Sequence, residues 1–282
     1  MPIASVLRRT GNKAYEYTFP VYRFAYCIFK AYADRTERQL LKRILFPGAV
    51  VVDAGANIGI YSRFLARCVG SSGLVHSFEP SPDNFMRLRL ATRKLRNVRL
   101  CQAAVGEHSS KTMLYLSDKL NVDHRAYVTE GDARRALQIE MMALDDYFKP
   151  GERVDLIKID IQGYELHALQ GARRILEENP EIRLLLEFWP YGLKHAGAEW
   201  GDLIEMLQGF GMDIMLVQAG SLIPFDARAV RNDVGWYVNL FASRNAGRAA
   251  IAQGSSVSFR SGCLTGPGTR RDGTARLTAD YS

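Results

Sequence analysis

The chain has 282 residues, 47% of them hydrophobic and 24% charged, with a formal net charge of +7 at pH 7. That length and apolar content suit one large domain with additions, and exclude a fibrous chain or a small scaffold held by disulfides. The charge is uneven: residues 1–46 carry nine Lys+Arg against three Asp+Glu, residues 246–282 five against two, and residues 47–245 carry 23 against 25. A core so nearly neutral argues against nucleic acid as substrate, while the basic, aromatic N-terminus allows contact with an acidic or membrane surface.

Four cysteines, Cys27, Cys68, Cys101 and Cys263, show neither C-x-x-C pairing nor metal-ligand spacing. They read as reduced thiols, and Arg8-Arg9 interrupts any apolar leader, so the expected location is cytoplasmic. The aromatic segment from Val21 to Tyr32 is broken by Arg23 and Lys30. It is too short and too charged to span a bilayer, and reads either as packed onto the domain or as an interfacial helix.

In chain order, Glu37–Leu45 has helical apolar spacing with Thr36 as its N-cap, and Pro47-Gly48 ends it. Ala49-Val50-Val51-Val52 is the uninterrupted apolar run of a strand buried on both faces, and it stops at Asp53. Gly55 and Gly59 flank a loop around Asn57, and a helix follows from Ile60, giving strand, tight turn and helix at a sheet edge. The spacing D-x-G-x-x-x-G lacks the middle glycine of a dinucleotide fingerprint, and its acid would repel a pyrophosphate. A second strand, Leu74–Phe78, ends in Glu79 and Pro80. A carboxylate there can accept two hydrogen bonds from ribose hydroxyls, so Asp53, Gly55, Asn57, Gly59 and Glu79 read as a site for S-adenosylmethionine.

The residues from Ser81 to about Arg96 predict a basic-faced helix, Val98–Val105 a third strand and its exit, and Thr112–Leu116 an edge strand. The polar stretch from Ser117 to Ala136 holds Asn121, Asp123, His124 and Arg125 where an acceptor-covering loop would lie. His124 is a candidate general base, or a loop histidine with an ordinary surface hydrogen bond. After Ile139–Asp145 and the Pro150-Gly151 turn, the strand Val154–Asp160 delivers a third acid, followed by Gln162-Gly163-Tyr164-Glu165 and a helix to Leu176. The switch point of the sheet is expected between Asp53 and Asp160, with the Asp160 carboxylate facing the reaction and Glu165 reading as a first-turn acid favoured by the helix dipole. The strand Ile182–Glu187 ends beside Phe188, Trp189 and Tyr191, which form either an acceptor wall or a core edge. Met212–Val217 and Gly235–Phe241 close the sheet, and the Ser/Gly-rich sequence from Asn245 onward predicts a disordered tail.

Taken together, VVDAGANIGIYS, VHSFEPSPDNFMRL, NVRLCQAAVGE and VDLIKIDIQGYELHALQGARRIL resemble the FkbM family of S-adenosylmethionine-dependent methyltransferases over about residues 37 to 245. The resemblance implies an α/β, Rossmann-like class I methyltransferase: a mostly parallel seven-stranded sheet flanked by helices, with an antiparallel closing strand. It implies backbone contact near Ala104 with the adenine, and O-methylation of a sugar or small-molecule hydroxyl. The family position of Gln162 is often glutamate. The division expected is an N-terminal helical extension (1–46), a methyltransferase domain (47–245) and the tail (246–282). Two other readings compete, an RNA or protein methyltransferase and a non-catalytic Rossmann-like binding module. Against base methylation, Asp160 is followed by Ile-Gln-Gly-Tyr and not by a D/N-P-P-aromatic tetrapeptide. A divalent metal shared by Asp160 and another acid could activate a hydroxyl, although no ligand motif supports it.

Overall fold

The computed structural model describes residues 30, 32–116, 125, 127, 135–218 and 221–244. His124, most of the insertion around it, residues 1–29 and the tail lie outside these. Strands β1 (Val50–Ala54), β2 (Leu74–Phe78) and β3 (Val98–Cys101) alternate with helices α2 (Ile60–Cys68) and α3 (Pro82–Thr92), after a first helix α1 (Arg35–Ile44). Beyond two short strands, β4 (Ala104–Val105) and β5 (Ser110–Leu116), come β6 (Arg135–Met142), α4 (Leu144–Tyr147) and β7 (Leu156–Ile159). The chain then runs through α5 (Glu165–Gln170), α6 (Arg173–Glu178), β8 (Arg183–Phe188), α7 (Pro190–His195), α8 (Trp200–Gly209), β9 (Asp213–Gln218), β10 (Ser221–Pro224) and β11 (Val238–Ser243).

The main sheet has the order β10-β9-β11-β8-β7-β1-β2-β3. β1 pairs in parallel with both β2 and β7, and β11 is antiparallel to both β8 and β9. The chain therefore leaves β1 towards β2 and later returns to its other side, which puts the switch point at the β1–β7 seam as the sequence predicts. To the seven expected strands the molecule adds an eighth, β10, hairpinned onto β9. A separate three-stranded sheet, β4-β6-β5, lies beyond β3, so the predicted run Val98–Val105 is divided between two sheets.

Alternation along the strands assigns side chains to two cores. Val52, Ala54, Ile157, Ile159, Leu184 and Leu186 face one cluster with residues of α5, α6 and α8. Val51, Leu156 and Leu185 face the other, with Leu40 and Leu41 of α1 and Tyr61, Phe64 and Leu65 of α2. The same period puts Asp53, Lys158 and Glu187 on the second face, and Asp53 is the direct partner of Lys158 in register.

Three local expectations differ from the structure. α1 starts at Arg35 behind Asp34, so Thr36 is inside the helix instead of capping it. α3 ends at Thr92 and not near Arg96. The helix predicted from Glu165 to Leu176 is broken into α5 and α6 at Gly171, where an added Cβ would stand 2.0 Å from the Gly106 carbonyl oxygen.

Candidate active site

A cleft of about 550 Å³ opens at the carboxyl ends of β1, β2 and β7, within the size range of small-molecule sites. One half is lined by Gly55, Asn57, Glu79, Asn84 and the stretch Ala103-Ala104-Val105. The other is lined by Tyr61, Lys158, Asp160, Gln162, Glu187 and Trp189.

The first half is built by the β1 turn. Gly55 has φ +80°, and an added Cβ would stand 2.0 Å from the Asp160 carbonyl oxygen, so only glycine lets the two strand ends meet so closely. Asn57, also at positive φ (+49°), gives its backbone N–H to Glu79 Oε2 at 2.8 Å, and Ser81 N–H binds Glu79 Oε1 at 2.9 Å. Glu79 is therefore aimed and almost closed in, with 5% of its surface exposed at the cleft. Burial raises its carboxyl to about 7, against the opposing pull of these backbone donors.

A raised carboxyl pKa stabilises the fold below the unfolded-state value and withdraws that stability as pH climbs through the folded-state value. The thermal midpoint of the protein is thus expected to fall between about pH 5 and pH 7.5, and Glu79→Gln to flatten part of that slope. An unchanged pH–stability curve for the Gln variant would contradict the assignment.

Of the cofactor candidates, Gly55, Asn57, Glu79 and Ala104 line the cleft, whereas Asp53 and Gly59 are not among the described lining residues. Asp53 is wholly buried beneath it. Its Oδ2 accepts the Ser62 hydroxyl at 2.7 Å and its Oδ1 lies 3.5 Å from Lys158 Nζ. The physical reason is the register: Asp53 and Lys158 project side by side on the α2 face, so the carboxylate meets a fixed cation before it can meet a ligand. Gly59, at φ +85°, leaves room for Leu88 of α3, 2.8 Å from where a Cβ would stand.

In the second half, Lys158 Nζ lies 3.6 Å from Asp160 Oδ2 and 4.6 Å from the centre of the Tyr61 ring. Gln162 occupies the left-handed region at φ +58°, and its side-chain amide reaches Glu187 Oε2 at 3.1 Å and Asp160 Oδ1 at 3.4 Å. Burial acts to raise the Asp160 carboxyl, but the ammoniums of Lys158 and Lys30 and the Gln162 amide outweigh it and hold Asp160 below its ordinary range. Glu187 goes the other way, pushed well up by burial and then by the charges of Asp160 and Glu165. The two acids thus form a pair whose proton affinities are pushed in opposite directions, Asp160 down and Glu187 up.

Glu165 stands in the first turn of α5. It is fully buried, and its Oε1 accepts the backbone N–H groups of Gly163 (3.1 Å) and Ile161 (3.3 Å), tying the turn that carries Gln162. The sequence alone assigns no site role to Lys158, Tyr61 or Lys30, and marks Gln162 only as a position that is often glutamate in the family. The signal available was Lys158 itself, a charge inside the apolar run Leu156–Ile159, which needs a buried partner. Among the described residues no three metal-ligating side chains converge.

The insertion contributes to this half through Arg125 and Tyr127. Arg125 lies 5.0 Å from the centre of the Trp189 ring and lines the cleft, and the Tyr127 hydroxyl donates to the Gln162 carbonyl at 2.9 Å.

A family model, the methyltransferase FkbM domain, matches residues 53–213, from the end of β1 to the start of β9. The chain belongs to the FkbM methyltransferase family. Methyltransferase 1 of Beauveria bassiana (strain ARSEF 2860) is 26% identical over 145 residues, covering 43% of this chain and 57% of that protein. Methyltransferase sdnD of Sordaria araneosa is 26% identical over 198 residues, covering 53% of this chain and 76% of that protein. Among solved structures, fibrillarin of Aeropyrum pernix with bound S-adenosyl-L-methionine is 15% identical, with 74% of each chain covered and a TM-score of 0.45. An S-adenosylmethionine-dependent O-methyltransferase of Thermotoga maritima is 14% identical, with 74% and 64% covered and a TM-score of 0.42.

FkbM membership implies S-adenosylmethionine as the methyl donor, and the residues of the first half fit it. Glu79 offers a fixed carboxyl edge to a ribose, Ala103-Ala104-Val105 offers backbone and small apolar side chains to a flat base, and Asn84 adds a polar side chain.

Proposed function

We propose that this FkbM family member transfers a methyl group from S-adenosylmethionine to a hydroxyl of a sugar or another small-molecule acceptor. The observation that carries the reading is the pair Asp160 and Glu187, joined through the Gln162 amide in the half of the cleft opposite Glu79. Bound S-adenosylmethionine supplies an electrophilic methyl group. The chain's own task is then to orient an acceptor oxygen, exclude water and receive one proton, and positioning of that kind supplies much of the rate.

Asp160, held as carboxylate by Lys158, is assigned to accept the acceptor's hydroxyl proton. Glu187, whose hold on a proton is strengthened by burial, lies within the same half to contact a neighbouring acceptor oxygen. Trp189 and Tyr237 line the same side and offer flat apolar faces to a sugar ring or small scaffold. His124, outside the described residues, keeps its part as an alternative base from the sequence alone. The presence of a fixed acid in each half of one cleft weighs against a non-catalytic binding module.

Isothermal titration with S-adenosylmethionine and S-adenosylhomocysteine tests the donor half. Micromolar binding is expected, weakened more than about tenfold, or ~1.4 kcal/mol, by Glu79→Ala. Folded protein that binds neither compound would remove the methyltransferase reading.

A further inference from the structure

The near-neutral balance of residues 47–245 conceals a separation of charge on the folded surface. Between Ile60 and Arg96 there are seven Lys+Arg, and the acids are Glu79, buried at the cleft, and Asp83. Two shallow concavities lie side by side on the outside of α1, α2 and α3 and share Arg67. The first, of about 650 Å³, is lined by Arg35, Arg38, Lys42 and Arg67 with Phe64, and the second, of about 210 Å³, adds Arg63, Arg93 and Lys94 around Leu90. No acid lines either concavity among the described residues.

We infer that this face docks the enzyme on an anionic phospholipid bilayer. Guanidinium and ammonium groups spread over three helices match a plane of phosphates better than a single bound anion, which would be met by a few convergent donors. Met86 and Leu90, one turn apart on α3 and 55% and 52% exposed, give this face an apolar stripe beside Arg89 and Arg93 that can enter the headgroup layer. A surface for single-stranded RNA would instead present open aromatic rings for stacking. The one aromatic side chain lining either concavity among the described residues, Phe64, is 8% exposed and lies under the Arg38 guanidinium, 4.7 Å from its ring centre. The sequence preceding α1 continues the pattern with Arg8, Arg9, Lys13 and Arg23 against the single acid Glu16 up to residue 29. Arg38 also lies 5.9 Å from the ring centre of Tyr61, a buried residue that lines the cleft from the other side.

Flotation of the full chain with vesicles tests this independently of the acceptor. Binding is expected to vesicles of phosphatidylcholine containing about 30% phosphatidylglycerol, not to phosphatidylcholine alone, and to be lost in about 0.5 M NaCl. The triple variant Arg67→Glu, Arg93→Glu, Lys94→Glu is expected to lower vesicle affinity at least about tenfold while its affinity for S-adenosylhomocysteine stays that of the parent. The double variant Met86→Ser, Leu90→Ser is expected to weaken vesicle binding several-fold without altering the charge, and it carries the test should the triple variant fail to fold. Absence of wild-type binding to the anionic vesicles, or binding untouched by the folded variants, overturns the inference. Tighter binding to a single-stranded RNA than to the vesicles, insensitive to the Met86 and Leu90 changes, replaces it with a nucleic-acid surface. Failure here with S-adenosylhomocysteine binding intact leaves the methyltransferase reading standing.

Discussion

Asp160→Asn is expected to lower turnover by about 10²–10⁴-fold while the protein still binds S-adenosylhomocysteine with about the parent's affinity. The amide keeps the size of the carboxylate and can still face Gln162, but it cannot take up the acceptor's proton. Because Lys158 and Lys30 hold the Asp160 carboxyl below its ordinary range, its ionised form persists into mildly acidic solution. The acid limb of the parent's rate profile is therefore expected below the ordinary aspartate range, and the Asn variant is expected to lose that limb along with its rate. Single-turnover measurements with radiolabelled donor and a responding hydroxyl acceptor would check both. Full turnover by a donor-loaded Asn variant would transfer the proton-accepting role elsewhere, to His124 in the first instance.

Lys158→Met is expected to destabilise the protein by about 3–5 kcal/mol, the usual cost of removing one partner from a buried ion pair. Its side chain is 6% exposed and sits between Asp53, wholly buried, and Asp160. Without the ammonium, ionising either carboxyl becomes harder, so both pKa values rise. A raised folded-state pKa removes stability as pH increases, and the deficit relative to the parent is thus expected to be larger at pH 8 than at pH 5. Adding Asp53→Asn should recover part of the loss, since the amide can still accept from Ser62 and no longer needs a cation. Chemical denaturation at the two pH values measures this directly, and a loss independent of pH would mean that packing, not charge, accounts for it.

The contrast between these two residues explains what the sequence could and could not reveal. β1, β2 and β7 are readable because each is a short, mostly apolar segment that stops at an acid, a pattern carried by local order alone. The switch point followed from two such runs in the right sequence. Asp53 is legible as the end of its strand, but its ion-pair partner is not, because Lys158 lies more than a hundred residues away and the pairing exists only in the register of β1 with β7. Glu187 depended on the same kind of information. Its elevated proton affinity arises first from burial and then from the charges of Asp160 and Glu165, both on the connection after β7 that the fold brings beside β8. The break between α5 and α6 was hidden because Gly171 within a helical pattern is tolerated, and only the nearness of the Gly106 carbonyl makes glycine necessary there.

The two ends of the eight-stranded sheet bear on how copies of this chain can meet. One border is β3, four residues long with Arg99 exposed, and the other is β10, four residues long and finishing in Pro224, which has no N–H to donate. Short borders guarded by a charge and a proline give an incoming strand few backbone groups to join. Among the described residues, the main sheet thus gives an incoming chain little to extend, and its growth by strand addition is disfavoured at both borders.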